Sequence, residues 1–430
     1  MRDLISGVGN AMARPRSPPG MGVGPSAGII TDITRTHYPR LDGLRGLAIL
    51  LVMLYHFSLP HPRMHGHDAG WLLQLAQTGW LGVDLFFVLS GFLITGILVE
   101  TRTEAHYFRT FLARRFLRIW PLYYMGLLVL LVLLPTVLPS VPPQLQGMRD
   151  KQAWFWLYAA NWLFAREGSF GQTSGGYLWS LAVEEQFYIV WPLVVFALTD
   201  RNLLRLSLML LCLSLLSRIV LINLGVSTGA LYTMTFTHWD GLAVGSCLAI
   251  CARSPRLMAE ARRWLLIAAP LAACGLAAVR IADGDAFMWS RQMATFGYTF
   301  AAVVFGALLV WVLSARETTG ISRFFTTHFM RQTGKYSYAL YVVHVPVASA
   351  IFPVATRALA GVEPAIGHET VFVVCMALSF IVSWILAVLS WNLFEKRILA
   401  LKRYFSYEGA AGIPEQSAAA ARSAVNMPRG

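Results

Sequence analysis

Long apolar runs recur along the chain, and short polar stretches separate them. A helix needs roughly 20 mostly apolar residues to cross a bilayer. The runs predict about ten membrane-spanning helices, near residues 41–59, 78–99, 119–139, 178–198, 206–224, 238–252, 264–281, 294–313, 336–355 and 371–394. Another apolar run, 153–165, is too short to cross.

The composition supports a membrane protein. Hydrophobic residues make up 56% of the chain and charged residues only 13%, about half of what soluble domains carry. So few charges cannot cover a water-facing surface, and the remaining surface is expected to face lipid. The fold class predicted is therefore all-α, a polytopic membrane helix bundle.

The distribution of the basic residues predicts the topology. The net charge of +13 would suggest nucleic acid for a soluble domain, but here the basic residues lie between apolar runs, as in cytoplasmic loops. With ten spans, most of them fall on one side if 153–165 stays at the outer surface. We therefore predict a multi-pass protein of the inner (cytoplasmic) membrane with both termini in the cytoplasm, and the lipid bilayer rather than nucleic acid as its partner.

The two ends of the chain differ in composition from the middle. Residues 1–36 are rich in Gly, Pro, Ser and Arg, and residues 405–430 in Ala, Gly and Ser. Such compositions do not support a packed core. We expect disordered cytoplasmic tails at 1–36 and 405–430, with a single membrane domain at 37–404.

The first span carries Arg45 and His56, eleven positions apart. On a helix this spacing places both on one face, about 16 Å apart along the axis. Arg45 is at the predicted cytoplasmic end and His56 lies toward the outer end. The pair suits a long donor such as acyl-CoA, with phosphates at one end and a reactive group at the other. Alternatively, Arg45 snorkels to the interface and His56 is a packed bundle residue.

Two carboxylates are predicted near the depth of His56. Asp84 opens the second span and Glu184 the fourth, and either can orient the imidazole of His56 and raise its basicity. A structural ion pair, for example with Arg218, is the alternative. For Glu185 an exposed or structural role is expected, since it lies about 100° around the helix from Glu184.

Further residues are candidates for binding. Arg115 and Arg118 precede the third span and either bind phosphates or only fix the topology. Asp240, at the start of the sixth span, and Trp179, at the start of the fourth, are candidates for substrate binding. His344, near mid-membrane in the ninth span, is a rival to His56 and a further substrate-binding candidate. No metal site is predicted, because no Cys/His cluster has zinc spacing.

Five motifs together resemble the acyltransferase type 3 family of bacterial membrane O-acyltransferases. They are the run from Arg45 to His56 after Leu-Asp-Gly-Leu, Gly82–Phe92, Arg115–Tyr123, Trp179–Tyr188 and Ser337–His344. The resemblance implies transfer of an acyl group, usually acetyl from acetyl-CoA, to a hydroxyl of a cell-envelope or secreted carbohydrate. It implies His56 as the catalytic residue and Arg45 as a donor-binding residue, with acyl-CoA as a substrate and no permanently bound cofactor. The chain departs from the family at His238, where an arginine is common.

Two other functions remain open at this point. In a transporter or flippase, the buried ionisable groups would form a substrate or proton pathway, although no internal repeat is visible. A non-catalytic scaffold for polysaccharide export would tolerate loss of His56. Within the acyltransferase hypothesis, His56 is either a general base or a transient carrier of the acyl group.

Overall fold

The computed structural model describes residues 38–61, 71–171 and 173–407, and these residues form helices and no strands. Nine helical stretches within the described residues are long and apolar enough to cross a membrane. Together with one shorter apolar helix, they match the ten predicted spans in order and confirm an all-α, multi-pass membrane bundle. The principal helices are α1 Pro39–Ser58, α2 Gly82–Thr101, α3 Tyr107–Leu128, α4 Trp179–Ala197, α5 Asp200–Asn223, α6 Asp240–Cys251, α7 Pro255–Asp283, α8 Tyr298–Ser314, α9 His328–Leu359 and α10 His368–Ser390.

Short helical segments connect or extend these helices. Turns of π-helix follow α3 and α10 and precede α8. The remaining short segments are Trp71–Gln77, Gly79–Leu81, Leu134–Val137, Pro143–Asp150, Gln152–Trp156, Ala160–Glu167, Gly176–Leu178, Thr228–Thr233, Gly284–Trp289, Gly320–Thr326, Glu363–Ile366, Lys396–Leu399 and Ala400–Tyr404.

The sixth predicted span differs from the others. Helix α6 has 12 residues, about 18 Å of helix, which is shorter than the roughly 30 Å of a hydrocarbon core. Nearly all of its side chains are buried, against α2, α5 and α8. Irregular backbone at membrane depth is tolerated where protein rather than lipid surrounds it, so a short helix is stable at this position.

Close approach between helices depends on glycine at two crossings. A Cβ on Gly245 of α6 would collide with the Val88 carbonyl of α2, and a Cβ on Gly91 with the Leu242 carbonyl. On the other side of the bundle, a Cβ on Gly334 of α9 would collide with the Asp42 carbonyl of α1. Small residues let membrane helices pack backbone to backbone, and these contacts hold α2 on α6 and α1 on α9.

The short apolar run 153–165 does not form one helix. Gln152–Trp156 and Ala160–Glu167 are separate helices of 5 and 8 residues, and Tyr158 between them has a φ of 51°. The hydroxyl of Tyr123 on α3 donates to the Phe155 carbonyl at 2.8 Å. Neither helix is long enough to span a bilayer, and the segment is a broken, largely buried element that packs on α3 and α4.

Both predicted tails lie mostly outside the described residues. Residues 1–36 and 408–430 are not described, and the tail prediction stays untested there. Phe405, Ser406 and Tyr407 are described and pack on the start of α3. The Phe405 carbonyl accepts from Arg114 Nε at 2.7 Å, and the Ser406 carbonyl accepts from the Thr110 hydroxyl at 3.0 Å.

Candidate active site

Two neighbouring cavities lie along α1, and Arg45 and His56 of that helix line one each. The first, here called the arginine cavity, is lined among others by Arg45, Arg115, Arg118 and Glu184. The second, the histidine cavity, is lined among others by His56. Arg45 and His56, about 16 Å apart along the helix axis, therefore face two different but adjoining spaces.

The arginine cavity brings three guanidinium groups together from two helices. Arg115 and Arg118 lie three positions apart on α3, so they share a face, and Arg45 reaches the same space from α1. Arg45 Nη1 donates to Asp42 Oδ1 at 3.0 Å, and the guanidinium of Arg118 lies 5.9 Å from the centre of the Trp391 ring. Planar guanidinium forks suit phosphate oxygens, so this cavity can hold an anionic group.

Both glutamates of α4 also line the arginine cavity. Glu184 hydrogen-bonds Ser90 and Tyr188, which gives it partners other than His56. Glu185 is buried and accepts from Trp120 Nε1 at 3.1 Å, while its other oxygen has no partner within the described part of the chain. Of the two roles expected for Glu185, the exposed one is excluded, since the start of α4 is enclosed on both of these faces, and the structural one agrees with its bond to Trp120.

His56, which lines the histidine cavity, is in contact with a second imidazole that does not line it. His344 of α9 is fully buried, and its Nε2 lies 3.3 Å from Nδ1 of the half-buried His56. His344 Nδ1 lies 2.8 Å from the Tyr341 carbonyl, and His56 Nδ1 lies 2.9 Å from the Val52 carbonyl. In the sequence analysis His344 is an alternative to His56 as the catalytic histidine, whereas the structure places the two in contact.

These partners assign the tautomers. A carbonyl only accepts, so both Nδ1 atoms carry hydrogen, and His344 Nε2 is left as an acceptor for the hydrogen on His56 Nδ1. The remaining nitrogen of His56, Nε2, then has a free lone pair. An imidazole whose Nδ1–H is held by a carbonyl presents Nε2 as a base or nucleophile.

The structure corrects the prediction for Asp84. Instead of orienting His56, Asp84 Oδ1 accepts from His238 Nε2 at 2.9 Å, and both side chains are buried. The partner, His238, is the residue where the resemblance to the family implies an arginine. Helix α6 packs directly on α2, which brings His238 rather than His56 to this carboxylate.

Asp240 also has a structural partner, which is Arg218. Both of its oxygens accept from Arg218, at 2.5 and 3.0 Å, and one also accepts from the Thr299 hydroxyl at 2.6 Å. The pair is fully buried, and Asp240 lines neither cavity. Arg218, the alternative partner considered for Asp84 or Glu184, thus pairs with Asp240 instead.

Aromatic residues form much of the histidine cavity. Trp179, predicted to bind substrate, lines it together with Tyr177, Tyr232 and Phe170. The ring centres of Trp179 and Tyr232 are 4.5 Å apart. Tyr177 and Tyr341 carry no prediction from the sequence analysis. The motif that ends in His344 contains Tyr341 at i−3, one helical turn away, and that spacing is the signal that points to it.

These features define a class, a multi-pass membrane bundle with a basic cavity and a histidine-containing cavity placed end to end. The chain belongs to the family of the acyltransferase domain, whose family model matches residues 38–388. This membership confirms the family resemblance of the sequence motifs.

Curated relatives agree with the family. The chain is 30% identical over 343 residues to the peptidoglycan O-acetyltransferase OatA of Listeria monocytogenes, covering 75% of this chain and 51% of the relative. It is 32% identical over 386 residues to the putative peptidoglycan O-acetyltransferase YrhL of Bacillus subtilis, covering 84% and 55%. The O-acetyltransferase OatA of Staphylococcus aureus is 28% identical over 328 residues, covering 72% and 50%. The chain thus spans about half the length of these relatives. No solved structure matches it.

Proposed function

We propose that this protein is an O-acyltransferase that moves an acetyl group from acyl-CoA to a hydroxyl of a cell-envelope carbohydrate. The observation that carries the proposal is the arrangement along α1. A cluster of three arginines lies at one end, and a histidine with a free Nε2 lies about 16 Å away. Family membership and the names of the relatives support acyl transfer as the reaction.

The arginine cavity is the donor end in this proposal. Arg45, Arg115 and Arg118 bind phosphate oxygens of acyl-CoA through charge-assisted hydrogen bonds. The pantetheine arm extends along α1 toward the histidine cavity and presents the thioester to His56. Since acyl-CoA is a cytoplasmic metabolite, this end of the bundle faces the cytoplasm, which also places both termini there.

His56 acts as the general base on the acceptor. Its Nε2 takes the proton of the attacking hydroxyl as the oxygen bonds to the thioester carbonyl carbon. The carbon–sulfur bond then breaks, and the proton passes from Nε2 to the CoA thiolate. The Val52 carbonyl and His344 fix the ring so that Nε2 faces the cavity, which is the positioning that general-base catalysis requires.

The acceptor enters the histidine cavity from the outer side. The rings of Trp179, Tyr232 and Phe170 offer apolar faces to the carbon–hydrogen faces of a sugar. Two relatives have names that contain peptidoglycan, which favours a glycan of the cell envelope as the acceptor.

Transfer of label from acetyl-CoA tests this function. The purified chain in proteoliposomes receives radiolabelled acetyl-CoA on the arginine side and peptidoglycan fragments on the other. We expect base-labile label on the glycan, the behaviour of an ester. Movement of unmodified glycan across the bilayer with no acetylation would instead identify a transporter and refute the proposal.

A further inference from the structure

The wall between the two cavities contains a tyrosine. Val83 of α2 and Tyr341 of α9 each line both the arginine cavity and the histidine cavity. The cavities measure about 120 and 220 Å³, and each is below the roughly 300 Å³ at which ligand pockets begin. Joined, they would reach that size, so the wall decides whether one continuous site exists.

Two hydrogen bonds hold the Tyr341 side chain in this wall. Its hydroxyl donates to the Tyr177 carbonyl at 2.7 Å and accepts from the Ser180 hydroxyl at 2.5 Å. Both partners belong to the start of α4 and the turn before it. The Phe86 ring meets the Tyr341 ring edge to face, with centres 6.3 Å apart. The buried ring also meets the rings of Tyr177 and His344, with centres 6.0 and 5.6 Å away. None of these contacts is a backbone hydrogen bond of α9, so a change of the Tyr341 rotamer does not require α9 to unwind.

The wall lies next to His344, the residue in contact with the proposed base His56. Tyr341 is one helical turn before His344, and its carbonyl accepts from His344 Nδ1. A thioester that arrives from the arginine cavity must therefore pass the Tyr341 ring to reach Nε2 of His56. With the ring in place, the carbonyl carbon of the donor is separated from water in the histidine cavity.

We propose that Tyr341 is a gate between the donor and acceptor cavities, and that its closed position protects acyl-CoA from hydrolysis until an acceptor is bound. This inference rests on the proposed function, since it takes acyl-CoA as the donor. The side reaction that the gate prevents is attack of water on the thioester. In that reaction a carbon–oxygen bond forms, the carbon–sulfur bond breaks, and the products are acetate and CoA thiol. Exclusion of water from a closed site is a general means of suppressing such hydrolysis.

The test compares CoA thiol release without acceptor to acetyl transfer with acceptor, in the same proteoliposomes. Tyr341→Ala removes the ring, and we expect the ratio of hydrolysis to transfer to rise at least about tenfold. Ser180→Ala removes one of the two hydrogen bonds of the closed gate, and the ratio should rise roughly 2- to 13-fold, the size of one neutral hydrogen bond. Tyr341→Phe removes both hydrogen bonds and should raise the ratio at least as far. Tyr336→Ala is the matched control. Tyr336 also lies on α9, but it packs on Trp384 and Trp391 and lines neither cavity. The Tyr336→Ala protein should therefore have the same ratio of hydrolysis to transfer as the unchanged protein.

The outcomes separate the gate from the donor assignment. If the unchanged protein transfers acetyl and all three gate variants keep its ratio, the gate is refuted while the proposed function stands. If the unchanged protein neither transfers acetyl from acetyl-CoA nor hydrolyses it, the donor assignment fails and the gate fails with it. Should Tyr341→Ala not fold, as judged by thermal unfolding in detergent, the two milder variants decide the question.

Discussion

Two adjacent arginines on α3 give a sharp test of the donor site. Arg115 lines the arginine cavity. Arg114 points elsewhere, because its Nε donates to the Phe405 carbonyl and its guanidinium lies 5.1 Å from the centre of the Tyr407 ring. The two residues carry the same charge at the same depth, so a difference between their variants reports on the cavity rather than on the topology.

The structure sets the expected size of the effect. Under the proposed donor binding, Arg115→Ala removes a guanidinium that faces the acyl-CoA phosphates, and a hydrogen bond to a charged group contributes about 1.5–3 kcal/mol. That loss corresponds to a decrease of roughly 10- to 150-fold in kcat/KM for acetyl-CoA. Arg115→Lys should recover only part of it, since Lys lacks the planar fork. Arg114→Ala should change kcat/KM by less than about threefold, because its guanidinium contacts Phe405 and Tyr407 and does not line the arginine cavity.

The assay is initial-rate acetyl transfer in proteoliposomes at varied acetyl-CoA, with the amount of inserted protein measured for each variant. Equal values of kcat/KM for Arg114→Ala and Arg115→Ala would refute the assignment of the arginine cavity. So would an Arg115→Ala protein that behaves like the unchanged one.

Three further predictions follow from the same geometry. His344→Leu removes one of the two acceptors that contact His56 Nδ1, so kcat should fall roughly 2- to 13-fold. Combined with His56→Gln, His344→Leu should cause almost no further loss of kcat. Full additivity of the two losses in this double-mutant cycle would show that the two rings act independently. Arg218→Met leaves its carboxylate partner buried and unpaired, which should cost about 3–5 kcal/mol and lower the unfolding midpoint in detergent, whereas an unchanged midpoint would contradict the buried pair. A cysteine at the exposed Gln146 should react with an impermeant maleimide in intact cells, and labelling only after permeabilisation would reverse the proposed topology.

The helices could largely be predicted from the sequence because each long apolar run can satisfy its backbone hydrogen bonds in lipid only as a spanning helix. An uncharged run near 20 residues must satisfy its backbone internally, and a spanning helix does so. The sixth span was the exception in length. Asp240 and Gly241 interrupt its run, and α6 is sheltered by protein on all sides, a tertiary feature that a local pattern of hydropathy does not contain.

The partners of the ionisable residues could be predicted less well. Helical periodicity shows that Arg45 and His56 share a face, because both lie on one helix. It does not show that His344 meets His56, or that Asp84 meets His238, since these contacts depend on how two helices rotate and cross. The glycine contacts that hold α2 on α6 and α1 on α9 determine those crossings, and they join residues far apart in sequence.

The central claim is that Nε2 of His56 accepts the proton of the acceptor hydroxyl. The most direct test is kcat for acetyl transfer by His56→Gln in proteoliposomes at saturating acetyl-CoA, with insertion and the unfolding midpoint matched to the unchanged protein. A positioned general base typically contributes about 10²- to 10⁴-fold, so kcat should fall by at least about 100-fold while the KM for acetyl-CoA, set at the arginine cavity, stays nearly constant. A His56→Gln protein that retains most of its kcat would contradict the account.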